Sequence, residues 1–250
     1  MTAEEYFGDW MRVIDMPELI RISTWLGKQN PAILCPPRPD IFKAFTLCSL
    51  RDCKVVFLGQ DPYPQKGVAT GVLFGNSKDT PEDKLSPSLD IIKEASVNYE
   101  IPHQELVFDN TLESWAKQGI LMINSALTCR MNEIGSHVLN WRQFTARLLS
   151  NMSSNSSGIV YVLFGRQAQS FRQYIDDRYN DVIETEHPSY FARTQTKMPY
   201  SVFRDINRIL NARYGMEIMW YKDYDNTNTN KNYYGKEENH GDDFFWPCSL

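Results

Sequence analysis

Four short apolar runs, at residues 54–59 (KVVFLG), 120–126 (ILMINSA), 159–164 (IVYVLF) and 181–186 (DVIETE), constrain this chain more than any other feature. They are rich in β-branched residues and apolar in continuous stretches rather than at alternate positions. Such runs read as strands buried on both faces, the habit of a parallel sheet covered by helices. Helical spacing fills the intervals: Leu89, Ile92 and Ala95 within 88–99, Phe144 and Leu148 within 141–149, Phe171 and Ile175 within 167–179, and a last pattern at 199–213. A helical region over 17–50 precedes the first strand. Strands alternating with helices predict an α/β fold with a parallel sheet flanked by helices.

The apolar runs are only about six residues long, far short of the roughly 20 that span a bilayer. The first ten residues are acidic, with neither an apolar signal core nor an Arg-rich presequence. The chain is therefore expected to stay where it is made, in the cytoplasm, or in a nucleus if the source is eukaryotic or viral. Its five cysteines (Cys35, Cys48, Cys53, Cys129, Cys248) are odd in number, irregularly spaced and without a C-x-x-C pair. They read as reduced, mostly buried thiols rather than a disulfide framework or zinc site. From about 222 onwards composition shifts to Asn, Tyr, Lys and Asp, so residues 1–221 read as one α/β domain and 222–250 as a polar, acidic, disordered tail. The polar stretch 151–158 (NMSSNSSG) reads as a connecting loop.

In an open α/β sheet, ligands collect outside the carboxyl ends of the strands. Those ends carry Gln60-Asp61-Pro62-Tyr63, Asn124-Ser125, Gly165-Arg166-Gln167 and His187-Pro188-Ser189. Taken singly, Asp61-Pro62 is a common turn pair and His187 a common strand-end residue. Asn124 in an apolar strand is harder to dismiss, because a buried amide without partners costs about 1–3 kcal/mol. The Gly59, Gly67, Gly71, Gly75 spacing lacks the Gly-Lys-Ser/Thr ending of a phosphate loop, which counts against a nucleotide-binding module.

Taken together, Gln60-Asp61-Pro62-Tyr63 with Gly67, Gly71 and Phe74, then 121–125 (LMINS), then His187-Pro188-Ser189, resemble the uracil-DNA glycosylase family in content, order and spacing. Ser86-Pro87-Ser88, Leu127-Thr128, Ser136-His137 with Trp141, Gly165 with Ala168-Gln169, and Met219-Trp220 extend the resemblance over roughly 10–220. It implies a central four-stranded parallel sheet flanked by helices in one domain. It also implies base-excision repair of DNA: the flipped uracil nucleotide is hydrolysed at its N-glycosidic bond, leaving an abasic site, with no metal or organic cofactor.

By that resemblance Asp61 and His187 are catalytic. Asp61 stabilises an oxocarbenium-like sugar and directs water, and His187 donates a hydrogen bond to uracil O2. Phe74 stacks on the base, Tyr63 lies against its C5 edge and excludes thymine's methyl, and Gln60 helps place water or base. Asn124 accepts from N3–H and donates to O4, a pattern that cytosine inverts. Ser86, Pro87, Ser88 and Ser189 grip phosphates on stiff turns, and Phe191 fills the hole left by the flipped nucleotide.

A net charge of −5 would ordinarily count against binding nucleic acid. Three of those units lie in 222–250, however, where three Lys face six Asp and Glu. The near-neutral remainder can rely on local donors and on Lys66, Lys84, Arg130, Arg166 and Arg193. Two positions depart from the family pattern. Pro64 follows Tyr63 where the family usually has His, and Tyr190-Phe191 stands where it has Pro-Leu. The expected partner is uracil-containing DNA, single- or double-stranded, bound by a monomer away from membranes. The alternative is a uracil-DNA-binding or replication-accessory protein with weak catalysis, whose 242–246 segment (DDFFW) docks a protein partner.

Overall fold

The computed structural model describes residues 2–97 and 106–223. Strands Val55–Gly59, Ile120–Asn124, Val160–Phe164 and Asp181–Thr185 pair in parallel, and across the sheet the order runs Ile120–Asn124, Val55–Gly59, Val160–Phe164, Asp181–Thr185. The chain thus enters the sheet in its interior, moves to one edge, then crosses back to build the other side. That reversal opens a crevice at the carboxyl ends of Val55–Gly59 and its neighbours.

Alternate residues of the first three strands feed two cores. Val56, Leu58, Leu121, Ile123, Tyr161 and Leu163 pack with the N-terminal segments and the helix Val138–Asn155. Val55, Phe57, Ile120, Met122, Val160 and Val162 pack with the helices Pro87–Ser96 and Ser201–Tyr214. Because both faces are covered, these three strands are apolar nearly throughout, as read from the sequence, whereas the edge strand Asp181–Thr185 is half-exposed and mixed.

Three expectations need correction. The stretch 151–158 is not simply a loop, since Val138–Asn155 runs through its first five residues. Asn151 Nδ2 donates to the Val13 carbonyl at 2.9 Å and the Ser153 hydroxyl accepts from Asp176 N at 2.7 Å, so tertiary bonds hold a segment of weak helix formers. Region 17–50 is not continuously helical. Met16–Gly27 is followed by 3₁₀ turns, the strand Leu34–Cys35 paired with Cys129–Arg130, and the short helix Lys43–Leu47. Pro31, Pro36, Pro37 and Pro39 lack the amide hydrogens a longer helix would need. The 167–179 pattern splits into Gly165–Gln169 and a 3₁₀ turn at Arg172–Tyr174, where the Ser170 hydroxyl donates back to the Gln167 carbonyl at 2.7 Å.

Lys222–Asp223 pairs with Leu106–Val107, so regular structure extends two residues past the expected boundary at 221. The rest of the expected tail, 224–250, lies outside the described residues, as do Cys248 and 98–99 of the expected 88–99 helix. Cys35, Cys48, Cys53 and Cys129 are buried free thiols. Among the described residues no helix is long and apolar enough to cross a membrane.

Candidate active site

A cleft of about 1030 Å³ opens at the carboxyl edge of the sheet and is lined by Gln60, Asp61, Tyr63, Phe74, Ser86, Pro87, Ser88, Asn124, His187 and Ser189. Ten of the eleven residues expected at the site therefore meet in one place. The exception is Phe191, which is 8% exposed and belongs to the core beneath Pro87–Ser96 and Ser201–Tyr214. Its neighbour Tyr190 is 41% exposed and lines the cleft instead. Both lie in the short helix Pro188–Thr194, where consecutive residues point about 100° apart, so burying one exposes the other.

Asp61 follows the strand end, and two of its neighbours are tied by the sheet: Ser125 N donates to the Gly59 carbonyl at 3.0 Å and Ala126 N to that of Gln60 at 2.9 Å. The Asp61 carboxylate accepts a short hydrogen bond from Gly135 N and another from the Gln60 side chain. Burial raises its pKa above the ordinary carboxylate value, and those two donors pull part of the way back. Gly135 is a residue the sequence reading missed. Its φ of +76° marks a turn, but only the fold places that turn against Asp61.

His187 is half-buried beside Phe74, at 5.5 Å between ring centroids. Its Nδ1 accepts from Ser189 N at 3.2 Å and also contacts the Ser189 hydroxyl at 2.9 Å. With Nδ1 an acceptor, the proton of the neutral ring sits on Nε2, which becomes a donor. Burial, followed by the Arg193 charge, lowers the imidazole pKa to about 4. Gly165 closes in behind: at φ +80°, a Cβ there would lie 2.9 Å from His187 Cβ.

Phe74 holds φ at +63°, in the left-handed region, where a bulky residue costs about 1–3 kcal/mol. The Tyr63 hydroxyl fixes that conformation by donating to the Phe74 carbonyl at 3.1 Å. The same phenol contacts the Ser86 and Ser88 hydroxyls, and Asn76 Nδ2 donates to Ser86 Oγ at 3.1 Å. Aromatic wall, C5-edge candidate and serine turn are thus one hydrogen-bonded unit. Pro64 keeps its place in this loop, its carbonyl accepting from Asn132 N at 3.0 Å.

Asn124 ends its strand opposite Gly59. Its Oδ1 is buried and has no hydrogen-bond partner among the described residues, and a Cβ on Gly59 would sit 2.7 Å from it. An unmet buried acceptor lining a cleft calls for a donor on whatever binds there. Of the five cations expected near the mouth, Lys84, Arg166 and Arg193 line the cleft and form no ion pair among the described residues. Lys66 does not line it, and Arg130 is paired with Glu133 at 3.2 Å.

Fold and cleft together define an α/β protein with a carboxylate, a neutral imidazole and an unmet amide oxygen at a topological switch point, a site for a flat, polar-edged ligand. The family model described as the uracil DNA glycosylase superfamily matches residues 45–211. The chain is 38% identical over 164 residues to a uracil-DNA glycosylase of Campylobacter jejuni, covering 65% of this chain and 68% of the relative. It is 34% identical to that of Aeromonas hydrophila (76% and 84%) and 33% identical to that of Pectobacterium carotovorum (82% and 89%). Among solved structures, mimivirus uracil-DNA glycosylase superposes with a TM-score of 0.67 at 24% identity over 88% of this chain and 93% of that one. The protein from Nitratifractor salsuginis gives 0.55 at 20% identity over 81% and 89%. The chain belongs to the uracil DNA glycosylase superfamily.

Proposed function

We propose that this protein excises uracil from DNA by hydrolysing its N-glycosidic bond, a DNA-repair activity that leaves an abasic site. The observation that carries this reading is the buried, unpartnered Asn124 Oδ1 in the same cleft as Asp61 and His187. Uracil offers N3–H to that oxygen and O4 to the amide hydrogens, whereas cytosine reverses both and is disfavoured by about 1–3 kcal/mol. The base lies on Phe74, with Tyr63 at its C5 edge. As the bond breaks, positive charge grows on the sugar and negative charge on uracil. The Asp61 carboxylate stabilises the sugar and directs water, and His187 Nε2–H donates to O2, each acting most strongly in the transition state. Ser86, Ser88 and Ser189 on the turns at Pro87 and Pro188, together with Lys84, Arg166 and Arg193, hold phosphates. Tyr190 takes the hole-filling place that the sequence gives to Phe191. One chain completes the cleft, so a monomer suffices, acting wherever the DNA is: the cytoplasm of a bacterium or a nucleus.

The test is release of uracil from a single-uracil oligonucleotide, read as strand breakage after alkali. The parent cleaves, and Asp61→Asn with His187→Ala lowers the rate by at least about 10²-fold. Tight binding of the same DNA without turnover would replace this reading with a binding or accessory role. The pH profile of kcat/KM is diagnostic as well. Activity falls as pH drops through the raised pKa of Asp61, which must be ionised, while His187 stays neutral down to about 4. No step from His187 is expected near the free-imidazole value of 6.5, and one there would contradict the reading.

A further inference from the structure

The turn that lends Gly135 to Asp61 also carries an exposed aliphatic side chain at the cleft mouth. Ile134 is 70% exposed, lines the cleft and joins neither hydrophobic core. An isolated surface isoleucine needs no explanation, but this one sits on a braced support. Arg130 N donates to Ser136 Oγ at 2.8 Å, Ser136 N donates to the Glu133 carbonyl at 3.3 Å, and Arg130 pairs with Glu133 at 3.2 Å. Asn132 and Gly135 hold φ at +62° and +76°, and the turn is bound to the catalytic loop through Asn132 N to the Pro64 carbonyl and Gly135 N to Asp61. A turn whose backbone is held this firmly loses little entropy on meeting a ligand, and covering the isoleucine it carries removes apolar area from water. The cations at the mouth account for phosphates and leave the aliphatic tip without a role.

We propose that Ile134 is a DNA-contacting residue, its side chain packing on the sugar or base face of a nucleotide next to the flipped one. This rests on the reading of the cleft as a uracil-DNA site. An apolar contact differs from a phosphate contact in its response to salt, since only the latter releases counterions. The experiment measures fluorescence anisotropy of a duplex carrying a tetrahydrofuran abasic analogue, which the enzyme cannot cleave, with full-length protein at several salt concentrations. Ile134→Ser is expected to weaken binding about tenfold with the slope of log K against log salt and the Tm unchanged. Ile134→Leu stays within about twofold of the parent, and Lys84→Ala lowers the slope by about one. Parent-like binding by Ile134→Ser, a changed slope, or equal weakening by Ile134→Leu would overturn the proposal. A parent that binds the duplex yet releases no uracil overturns the hydrolase reading alone and leaves the comparison of variants intact. A parent that does not bind overturns both.

Discussion

Gly165 and His187 meet so closely that the shape of one residue fixes the position of the other. Gly165→Ala forces a Cβ to 2.9 Å from His187 Cβ and places an L side chain at φ +80°. The residue it displaces is the one whose Nε2–H, in the proposed reaction, meets a developing charge, and a misplacement near 1 Å costs about 10²-fold in rate. The expected outcome is a fall in kcat of that order with a loss of stability of only about 1–2 kcal/mol, read from steady-state kinetics and a thermal melt. Unchanged kcat in a folded variant would remove His187 from the mechanism. At this scale much of the site was legible, because Asp61, Asn124 and His187 all sit where strands end and a parallel sheet gathers its strand ends in one crevice. Gly135 was not legible, because its role depends on a turn 74 residues further along the chain coming to rest against Asp61.

Elements show where pattern reading stops working. The four strands are found within one or two residues of the runs read from the sequence; for three of them continuous hydrophobicity over five residues has few other uses in a covered sheet, while the half-exposed edge strand Asp181–Thr185 shows only Val182 and Ile183. The helix Pro188–Thr194 is too short to display a period, so the sequence could not tell which of two adjacent aromatics faces the core. The 151–155 segment failed in the opposite way: its composition favours a loop, but bonds from Asn151 and Ser153 to distant backbone keep it helical. Truncating each aromatic of Pro188–Thr194 separates their roles. Phe191→Ala empties a core position and should cost about 3–5 kcal/mol of stability. Tyr190→Ala should leave the melting temperature nearly unchanged and lower uracil release from duplex by about tenfold more than from single strands, where no stack has to be opened. Equal losses on both substrates would show that Tyr190 fills no hole.

At the scale of the whole molecule the fold holds two imidazoles neutral, His137 buried and His187 half-buried. His137 adjoins the turn that supports Asp61; Trp141 Nε1 donates to the Thr128 hydroxyl at 2.7 Å, and that hydroxyl meets His137 Nδ1 at 2.9 Å. Burial lowers the pKa of both His137 and His187 to about 4, against 6.5 for the free side chain. The unfolded chain therefore binds more protons than the folded one between pH 6.5 and about 4, and stability falls as pH drops through that window. From pH 7 to pH 5 each histidine should withdraw about 2 kcal/mol. Asp61, Asp40 and Asp90, whose pKa values are raised, act in the opposite sense, since the folded state protonates them first and gains as pH falls through those values. Acid destabilisation from the histidines should thus be steepest between their folded value of about 4 and the free value of 6.5, with the three carboxyls offsetting part of it. Urea unfolding at pH 7 and pH 5 measures this, and His187→Gln, which keeps an acceptor for Ser189 N but cannot titrate, should show about half the parental loss. An undiminished loss in that variant would mean His187 is not held neutral by the fold, and with it would go the hydrogen-bond donor that the proposed chemistry requires.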